Sequence, residues 1–531
     1  MKVLGLAIIG LCCWNASAVA QVGQDAAMMR MYQAESEVGR ESFTRDARHF
    51  ESTVEIPVLQ ARLIHRTEFG PDGRWTAFES RVYLLANDSL VAEYWATAAG
   101  DSVRWRQLRG GQDTSGVAAG RPSAVVPSQT TAVFADIAYR VAGRDTIWEL
   151  WSPESGAVVQ ATIRHGTNTV EFTLGPLPLT VKLRPDGRVG EIEVLPQRLR
   201  VERVEPNLPL DPLPGLERPK PDYAPPPGAP YTATEVRIPV TSESGDAFEL
   251  AGTLTVPTTG RPPFPAAVTI TGSGGQDRDE NLWPLVPDYR PYAEIADRLA
   301  HARIAVLRVD DRGVGASGGG NSAPTTRDFA GDVRAQLAWL RARPEINGKL
   351  LALIGHSEGG VIGPIVAAED RELAALVIMA GSSQTGEEII HYQVTRPIET
   401  APGLTDAQRA ELRDSILAEA MTTLAAANPW MRYFWTYDPL VAARQVTQPV
   451  LVLHGEYDRQ VTVEQATELA DAIREGGNRD VTVRIFPKLN HLFLMSLEDG
   501  SPHEYMAIED ASLPSEVLDT IVTWLSTKLR P

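Results

Sequence analysis

Cysteine is almost absent from this chain: only two of its 531 residues are cysteines, at positions 12 and 13. Both lie within residues 1–20, which we interpret as an export signal. Lys2 supplies a positive charge, residues 3–13 are apolar, and Ala18-Val19-Ala20 is a cleavage site of small residues. If this segment is removed, no cysteine remains, which excludes disulfides, thiol nucleophiles and cysteine-ligated zinc.

Long apolar runs are lacking as well. The run at residues 3–13 is shorter than the roughly 20 residues that a membrane-spanning helix needs, so we expect no membrane span in the mature protein. A lipid anchor at Cys12 or Cys13 is the alternative to cleavage, although Leu11 is a poor residue before a lipidated cysteine. Export without disulfides favours a bacterial periplasm or the extracellular medium over a eukaryotic secretory route.

Positive charge is scarce relative to negative charge. The 50 Lys and Arg residues face 68 Asp and Glu residues, for a formal net charge of −18. Such a chain repels the phosphates of nucleic acids and anionic lipids, so nucleic acid is not an expected partner. Hydrophobic residues make up 43% of the chain, which excludes a disordered protein, and the composition excludes collagen and coiled coils. A globular, enzyme-sized protein of roughly two to four domains remains.

Residues 21–205 are predicted to form an antiparallel, β-rich N-terminal domain. Polar and apolar residues alternate at 170–174 and at 137–141, and a period of two is typical of a half-buried strand. Pro-Asp-Gly at 71–73 and again at 185–187 predicts turns between such strands. This region contains no identifiable chemistry.

A proline-rich linker, residues 206–231, separates this domain from the rest of the chain. It contains 10 of the 39 prolines, a density that favours a stiff, extended segment. From residue 232 to 531, apolar runs alternate with amphipathic helices, which predicts an α/β fold with a mainly parallel sheet covered on both faces. The strands are expected at 266–270, 304–309, 350–354, 373–379, 450–453 and 481–486, with a helical cap insertion at 383–446.

The clearest chemical signal is Gly-His-Ser-Glu-Gly at residues 355–359. It follows an expected strand directly and precedes a stretch compatible with a helix, which is the context that a G-x-S-x-G nucleophile elbow requires. The sharp turn holds the serine in a strained backbone conformation that exposes its hydroxyl. Ser357 is therefore the candidate nucleophile, and the alternative is a chance glycine–serine loop.

A serine nucleophile needs a histidine base that is oriented by a carboxylate, in the chain order Ser, Asp or Glu, His. His491 follows the expected strand 481–486, which makes it the preferred base. Asp458, in the loop after the expected strand 450–453, is the preferred acid, and Glu456 is its nearest rival. The other histidines after the serine are His391, His454 and His503.

An oxyanion hole requires backbone N–H groups near the developing negative charge. One donor is expected to be the N–H of Glu358, directly after the nucleophile. The second is expected from the loop Thr-Gly-Ser-Gly-Gly at 271–275, where small residues let the main chain approach a substrate. Ser273 and Gly274 are equal candidates, and the alternative is a simple glycine turn.

One further motif resembles a cofactor site. Residues 313–318 match G-x-G-x-x-G, the dinucleotide-binding fingerprint, which should open a helix at once. Here glycine, asparagine and proline follow instead, so no dinucleotide site is expected. The sequence implies neither a metal nor an organic cofactor.

Together these motifs resemble the α/β-hydrolase superfamily over about residues 232–531. The runs at 272–280, 310–317 and 355–360 look like those of a bacterial branch, the serine aminopeptidase-like and acylaminoacyl-peptidase-like hydrolases, many of which act as carboxylesterases. The resemblance implies a triad of Ser357, Asp458 and His491. It does not extend to residues 21–231, which are much shorter than the propeller of prolyl-oligopeptidase-type enzymes.

We therefore expect an exported serine hydrolase that cleaves small carboxylic esters through an acyl-enzyme intermediate. The alternatives are a serine peptidase with the same triad, an inactive hydrolase fold used for binding, and a lipid- or glycan-binding β-domain with a hydrolase attached. Aromatic residues at 430–437 either line an acyl pocket or pack a cap, and Trp435→Ala would alter chain-length preference only in the first case. The sequence leaves the oligomeric state open.

Overall fold

A computed structural model describes most of the chain after residue 23. The described ranges are 24–33, 36–85, 87–109, 112–141, 143–154, 156, 158–174, 177–204, 213, 221–243, 245–320, 324–423 and 428–530. The predicted export signal and most of the proline-rich segment up to residue 220 lie outside them. The chain divides into two compact units, a first unit of Met1–Arg218 with Pro397–Asp414 and a second unit of Pro219–Arg396 with Ser415–Pro531.

The described part of the first unit is built around one 15-stranded sheet. Its strands are β1 (Asp25–Gln33), β2 (Ser36–Arg45), β3 (His49–Ile56), β4 (Ala61–Phe69), β5 (Trp75–Leu84), β6 (Leu90–Ala99), β7 (Ser102–Arg109), β8 (Gln112–Ala119), β9 (Ala124–Val125), β10 (Thr146–Trp151), β11 (Val158–His165), β12 (Thr169–Leu174), β13 (Leu177–Leu183), β14 (Val189–Val194) and β15 (Leu199–Val204). Strands β1 to β8 and β10 to β15 form antiparallel meanders, and β1 pairs with β15 between them. The short strand β9 pairs with β10 in parallel.

A buried helix, α1 (Ala132–Val141), packs in the same hydrophobic core as the sheet. Trp75 of β5 and Trp151 of β10 stack in this core with ring centroids 6.4 Å apart, so strands distant in the sheet order meet and the sheet must curve. Glu41 accepts the N–H groups of Thr131 and Ala132 and so caps the beginning of the helix.

The expectations for this region are correct for one strand and both turns. Residues 170–174 lie in β12, and the Pro-Asp-Gly turns join β4 to β5 and β13 to β14. The expected strand at 137–141 is wrong, because this segment is the second half of α1. Nearly every residue of that helix is buried, so its apolar residues do not mark a single face and the period is ambiguous.

The second unit contains an eight-stranded sheet among its described residues. Its strands are β16 (Tyr231–Thr241), β17 (Ala247–Pro257), β18 (Phe264–Ile270), β19 (Ala305–Val309), β20 (Ile346–His356), β21 (Ala375–Met379), β22 (Val450–Gly455) and β23 (Val481–Phe486). Their order is β16-β17-β19-β18-β20-β21-β22-β23. Pairs among β18 to β23 are parallel, and β17 pairs antiparallel with β16 and with β19.

Helices lie between these strands and after the last of them in the chain, and some of these helices pack on the two faces of the sheet. They are α2 (Pro291–His301), α3 (Thr326–Arg341), α4 (Gly359–Glu369), α5 (Gly386–Thr400), α6 (Asp406–Thr423), α7 (Pro429–Thr436), α8 (Pro439–Ala443), α9 (Glu464–Glu475) and α10 (Ser515–Lys528). Successive residues of β20 enter different cores: Leu351 and Leu353 pack with α3 and α4, while Ala352 and Ile354 pack with α2 and α10. No helix within the described ranges is both long enough and apolar enough to cross a membrane.

Candidate active site

Ser357 lies on a tight turn between β20 and α4, near the middle of the sheet. Its φ is 53°, in the left-handed region that is unfavourable for a non-glycine residue, and its N–H donates to the Met379 carbonyl at 2.9 Å. A Cβ on Gly355 would lie 2.1 Å from the Gly359 carbonyl oxygen, and one on Gly359 would lie 2.1 Å from that of Ile270. Only glycine fits at both positions, and the turn holds the serine at the carboxyl end of the strand.

Asp458 and His491 come together from the loops that follow β22 and β23. His491 Nδ1 lies 2.7 Å from Asp458 Oδ2, and Asp458 Oδ1 accepts the N–H groups of Gln460 and Val461 at 2.8 Å. Burial alone would raise the pKa of Asp458, but the charge of His491 and hydrogen bonds from His454 and His491 hold this pKa well below its usual range. Asp458 is therefore an ionised carboxylate that orients the imidazole and keeps a proton on Nδ1.

Glu456, the rival to Asp458, and His454, one of the rivals to His491, make other contacts. Glu456 is exposed and accepts the N–H of Lys488. His454 is buried, with Nε2 at 2.8 Å from the Val461 carbonyl and 3.2 Å from Asp458 Oδ2, so it supports the carboxylate. The remaining two histidines after the serine lie in α5 and in a 3₁₀ turn at 502–507: His391 and His503.

The loop at 271–276, after β18, packs against the nucleophile. Asp311 holds both of its ends, because Oδ1 accepts the Thr271 hydroxyl and Oδ2 accepts the Gln276 N–H, each at 2.9 Å. Between these ends, a Cβ on Gly272 would lie 3.2 Å from the Cβ of Ser357. Burial raises the pKa of Asp311 to about 8. A buried carboxyl group thus fixes the loop that approaches the serine.

Backbone donors border the same cleft as the serine. Glu358 occupies the N-cap position of α4, where N–H groups have no partner within the helix. Both loop candidates are exposed, but Ser273 lines the cleft with Ser357 and Glu358, whereas Gly274, with φ of 94°, does not. The structure therefore brings Ser273 and Glu358 to the nucleophile.

The side chain of Glu358 links the turn to helix α7. Its Oε1 accepts the Thr326 hydroxyl at 2.7 Å and the Trp430 indole N–H at 2.8 Å. Burial raises the pKa of this carboxyl group, against the opposing effect of hydrogen bonds from Thr326, Trp430 and Ser273. These contacts fix Trp430 at the edge of the cleft.

The cleft that contains Ser357 and His491 has a volume of about 270 Å³. Its apolar walls include Leu282, Leu285, Ile389, Ile390, Trp430 and Phe434. Trp430 and Phe434, one helical turn apart, stack with ring centroids 5.1 Å apart and an interplanar angle of 6°. Trp435, the residue that we singled out for an acyl pocket, is buried at 7% exposure and does not line this cleft, because it projects from a different face of α7.

Two residues of the site were missed by sequence reasoning. Glu280 and His356 form a buried pair behind the serine, with His356 Nδ1 2.8 Å from Glu280 Oε1. Glu280 and His356 lie in the runs 272–280 and 355–360, which resemble those of hydrolases. That resemblance was the one signal in the sequence that could have pointed to them. Among the described residues, no group of three or more His, Cys, Asp or Glu side chains is arranged to hold a metal ion.

A mainly parallel sheet with a serine on the turn after a central strand, and helices on both faces, is the architecture of the α/β-hydrolase fold, and the second unit has this architecture. Residues 287–498 match the family model described as serine aminopeptidase, S33. The resemblance to serine aminopeptidase-like α/β hydrolases that the motifs indicated is confirmed.

The chain is also similar to individual hydrolases. It is 27% identical over 285 residues to esterase EstD of Thermotoga maritima, a match that covers 52% of this chain and 65% of that protein. Among solved structures, it is similar to the esterase Pf2001 of Pyrococcus furiosus, with a TM-score of 0.39, 16% identity and coverage of 59% and 97% of the two chains. It is likewise similar to Est1E of Butyrivibrio proteoclasticus with bound ferulic acid, with a TM-score of 0.37, 16% identity and coverage of 55% and 99%.

Proposed function

We propose that this chain is a serine hydrolase that cleaves carboxylic esters through an acyl-enzyme intermediate. The observation that carries the proposal is the hydrogen bond of 2.7 Å between His491 Nδ1 and Asp458 Oδ2, in the cleft that also contains the strained Ser357. A base that is oriented by a carboxylate next to an exposed hydroxyl is the arrangement that activates serine. The similarity to esterase EstD supports an ester as the substrate.

The proposed reaction has two halves. Ser357 Oγ attacks the carbonyl carbon of the ester while His491 Nε2 takes its proton, and the N–H groups of Glu358 and Ser273 stabilise the oxyanion. The tetrahedral intermediate collapses, and the leaving alcohol takes the proton from His491. Water then attacks the acyl-enzyme, again giving a proton to His491, and the acid departs as Ser357 regains its proton.

The shape of the cleft favours apolar substrates. Its walls carry aliphatic side chains from two separate segments and the stacked pair Trp430 and Phe434. Polar side chains such as Gln276, Gln393 and Gln460 also line the cleft, but most of its surface is apolar, so burial of apolar surface should contribute most to binding. We therefore propose esters with an apolar acyl group as the substrate class. Residues of α5 and α7, which lie in the expected cap insertion 383–446, would contact that group in the cleft wall.

Ser357→Ala tests the proposal directly. We expect hydrolysis of short p-nitrophenyl esters to fall at least about 1,000-fold, because the nucleophile is lost, and labelling by a fluorophosphonate probe to disappear. Asp458→Asn should also lower kcat strongly, whereas Glu456→Gln, in the same loop but exposed, serves as the matched control and should retain activity. Full activity of Ser357→Ala, or equal losses in the two carboxylate variants, would contradict the assignment.

A peptidase with the same three residues is the second candidate, because the matching family model is described as a serine aminopeptidase. Matched substrates separate the two functions: a p-nitrophenyl ester and a p-nitroanilide that share one acyl group. Because p-nitrophenyl esters are intrinsically more reactive, the anilide decides: efficient cleavage of the anilide supports the peptidase, and ester cleavage without measurable anilide cleavage supports the esterase.

We also propose that residues 1–20 direct export to a bacterial periplasm or to the medium. The positive charge, short apolar run and small-residue site of this segment support the proposal. Fractionation of producing cells and mass determination of the mature N-terminus test it. An N-terminus at Gln21 in the exported fraction supports cleavage, and an intact cytoplasmic chain contradicts it.

A further inference from the structure

A buried pair of side chains connects the two loops on either side of Ser357. Glu280 Oε1 accepts the N–H of Gly272, in the loop after β18, at 2.9 Å. The same oxygen lies 2.8 Å from His356 Nδ1, and His356 Nε2 lies 2.9 Å from the carbonyl oxygen of His491. One continuous network thus runs from the oxyanion loop, behind the serine, to the backbone of the proposed base.

The two contacts of His356 fit a charged ring. A backbone carbonyl accepts hydrogen bonds and cannot donate them, so His356 Nε2 donates to the His491 carbonyl. With Glu280 ionised, Nδ1 donates as well, and only an imidazolium donates from both nitrogens. Burial would lower the pKa of His356, but the charge of Glu280 and the hydrogen bonds to Glu280 and to His491 outweigh burial and raise this pKa.

The backbone at Glu280 is held in an unfavourable conformation. Its φ is 62°, a region that non-glycine residues rarely occupy and that is retained where the surrounding structure fixes it. Its side chain is 1% exposed, and that of His356 is 4% exposed. A buried ion pair of this kind gives little net stability compared with apolar packing, so its value lies in fixing the positions of the groups that it contacts.

We propose that Glu280 and His356 are positioning residues that hold the backbone of His491 and of Gly272 at fixed places relative to Ser357. This inference rests on the proposed function of the site. Neither residue contacts the substrate; both act through the groups that they hold. A displacement of the base by about 1 Å is enough to lower turnover about 100-fold, so the network should affect kcat far more than KM.

Two substitutions of His356 separate positioning from mere filling of space. The amide nitrogen of glutamine reaches approximately the place of Nε2 and can still donate to the His491 carbonyl, whereas that of asparagine replaces Nδ1 and cannot reach it. Neither variant gives Glu280 a charged partner, but the asparagine amide can still donate to Glu280 Oε1, so each variant keeps one of the two contacts of His356. We expect His356→Asn to lower kcat for p-nitrophenyl acetate about 100-fold with little change in KM, and His356→Gln to stay within about tenfold of the wild type.

Equal kcat values for the two variants would overturn the inference, because a space-filling ring is lost equally in both. Circular dichroism of each purified variant checks that it is folded. If neither variant folds, Glu280→Gln is the deciding variant. Without the carboxylate, His356 is a neutral imidazole with one N–H, so it loses one of its two contacts. We then expect kcat to fall about tenfold at unchanged KM. Wild-type kinetics in that variant would overturn the inference.

Failure of the proposed function has a different signature. In that case the wild type itself neither hydrolyses esters nor reacts with a fluorophosphonate at Ser357. If instead the wild type is active and labelled while the His356 variants do not differ from each other, only the positioning role is wrong.

Discussion

A single buried carboxyl group, Asp311, fixes the loop that faces Ser357, and its protonation links stability to pH. The pKa of this group rises from 3.8 to about 8 because of burial, with further contributions from Glu358 and Glu280. Between these values the folded protein holds a proton that the unfolded chain has lost. The stabilisation is therefore complete below about pH 4 and is lost as pH rises through about 8.

We expect Asp311→Asn to remove this dependence. Asparagine resembles the protonated carboxyl group, since its oxygen can accept the Gln276 N–H and its amide can donate to the Thr271 hydroxyl. Urea unfolding between pH 5 and 9 should show that the free energy of unfolding falls less steeply with pH in the variant than in the wild type. Parallel slopes for the two proteins would show that Asp311 does not hold the proton.

Phe434 determines how much room the cleft offers to an acyl chain. It stacks on Trp430 in the cleft wall, so Phe434→Ala should shift kcat/KM toward longer acyl chains by about tenfold relative to acetate. Tyr433→Ala is the matched control, because Tyr433 lies on the same helix but stacks on Tyr437 instead. A p-nitrophenyl ester series from two to twelve carbons measures the preference, and an identical profile in both variants would contradict this role.

At the residue scale, the sequence pointed to residues whose signal is local, and the structure brings two of them, Asp458 and His491, into contact. A short glycine motif next to a strand indicates the serine turn. Asp458 and His491 each lie in a loop that directly follows an expected strand. The Glu280–His356 contact spans 76 positions and the contact from His356 to His491 spans 135. No spacing rule connects such distant residues, so only the fold reveals that they meet.

At the scale of elements, the elbow depends on how closely β18, β20 and α4 approach one another. Gly359→Ala would place a methyl group 2.1 Å from the Ile270 carbonyl oxygen. We expect a loss of about 1 to 3 kcal/mol in the free energy of unfolding and about 100-fold in kcat, because the turn must shift.

Gly331→Ala is the control for this prediction. Gly331 lies inside α3, and a Cβ there would contact only the end of the Arg334 side chain at 3.6 Å. Alanine in a helix interior should stabilise the protein by about 0.5 to 1 kcal/mol and leave kcat unchanged. Thermal unfolding of both variants measures the difference, and similar behaviour of the two would disprove the crowding at the elbow.

Element prediction was most accurate for the parallel strands. Expected strands at 266–270 and 450–453 lie within β18 and β22, whose residues are nearly all buried, because strands that are buried on both faces are continuously apolar. The antiparallel strands β16 and β17 were missed. Much of β16, which lies at the edge of the sheet, is exposed and carries polar residues. Helix α1 was mistaken for a strand because its burial on nearly all sides hides the helical period.

At the scale of the whole molecule, each unit has hydrophobic cores of its own. We therefore expect calorimetry to show two cooperative transitions. Ile163→Ala in the first unit and Leu376→Ala in the second each empty a site that is 0% exposed, and each should destabilise its own unit by about 2 to 5 kcal/mol. A single unfolding transition whose midpoint temperature shifts equally in both variants would contradict separate cores.

Strands β1 and β15 lie side by side, with Met28 opposite Val204. The first and the last strand of the 15-stranded sheet, in chain order, are therefore neighbours, although 176 positions separate Met28 from Val204. A circularly permuted version, opened at the turn 71–73 and closed by a short peptide between residues near 25 and 204, would break no ladder of the sheet, since that turn only joins β4 to β5. The final arrangement of these strands therefore does not require the order in which they are synthesised.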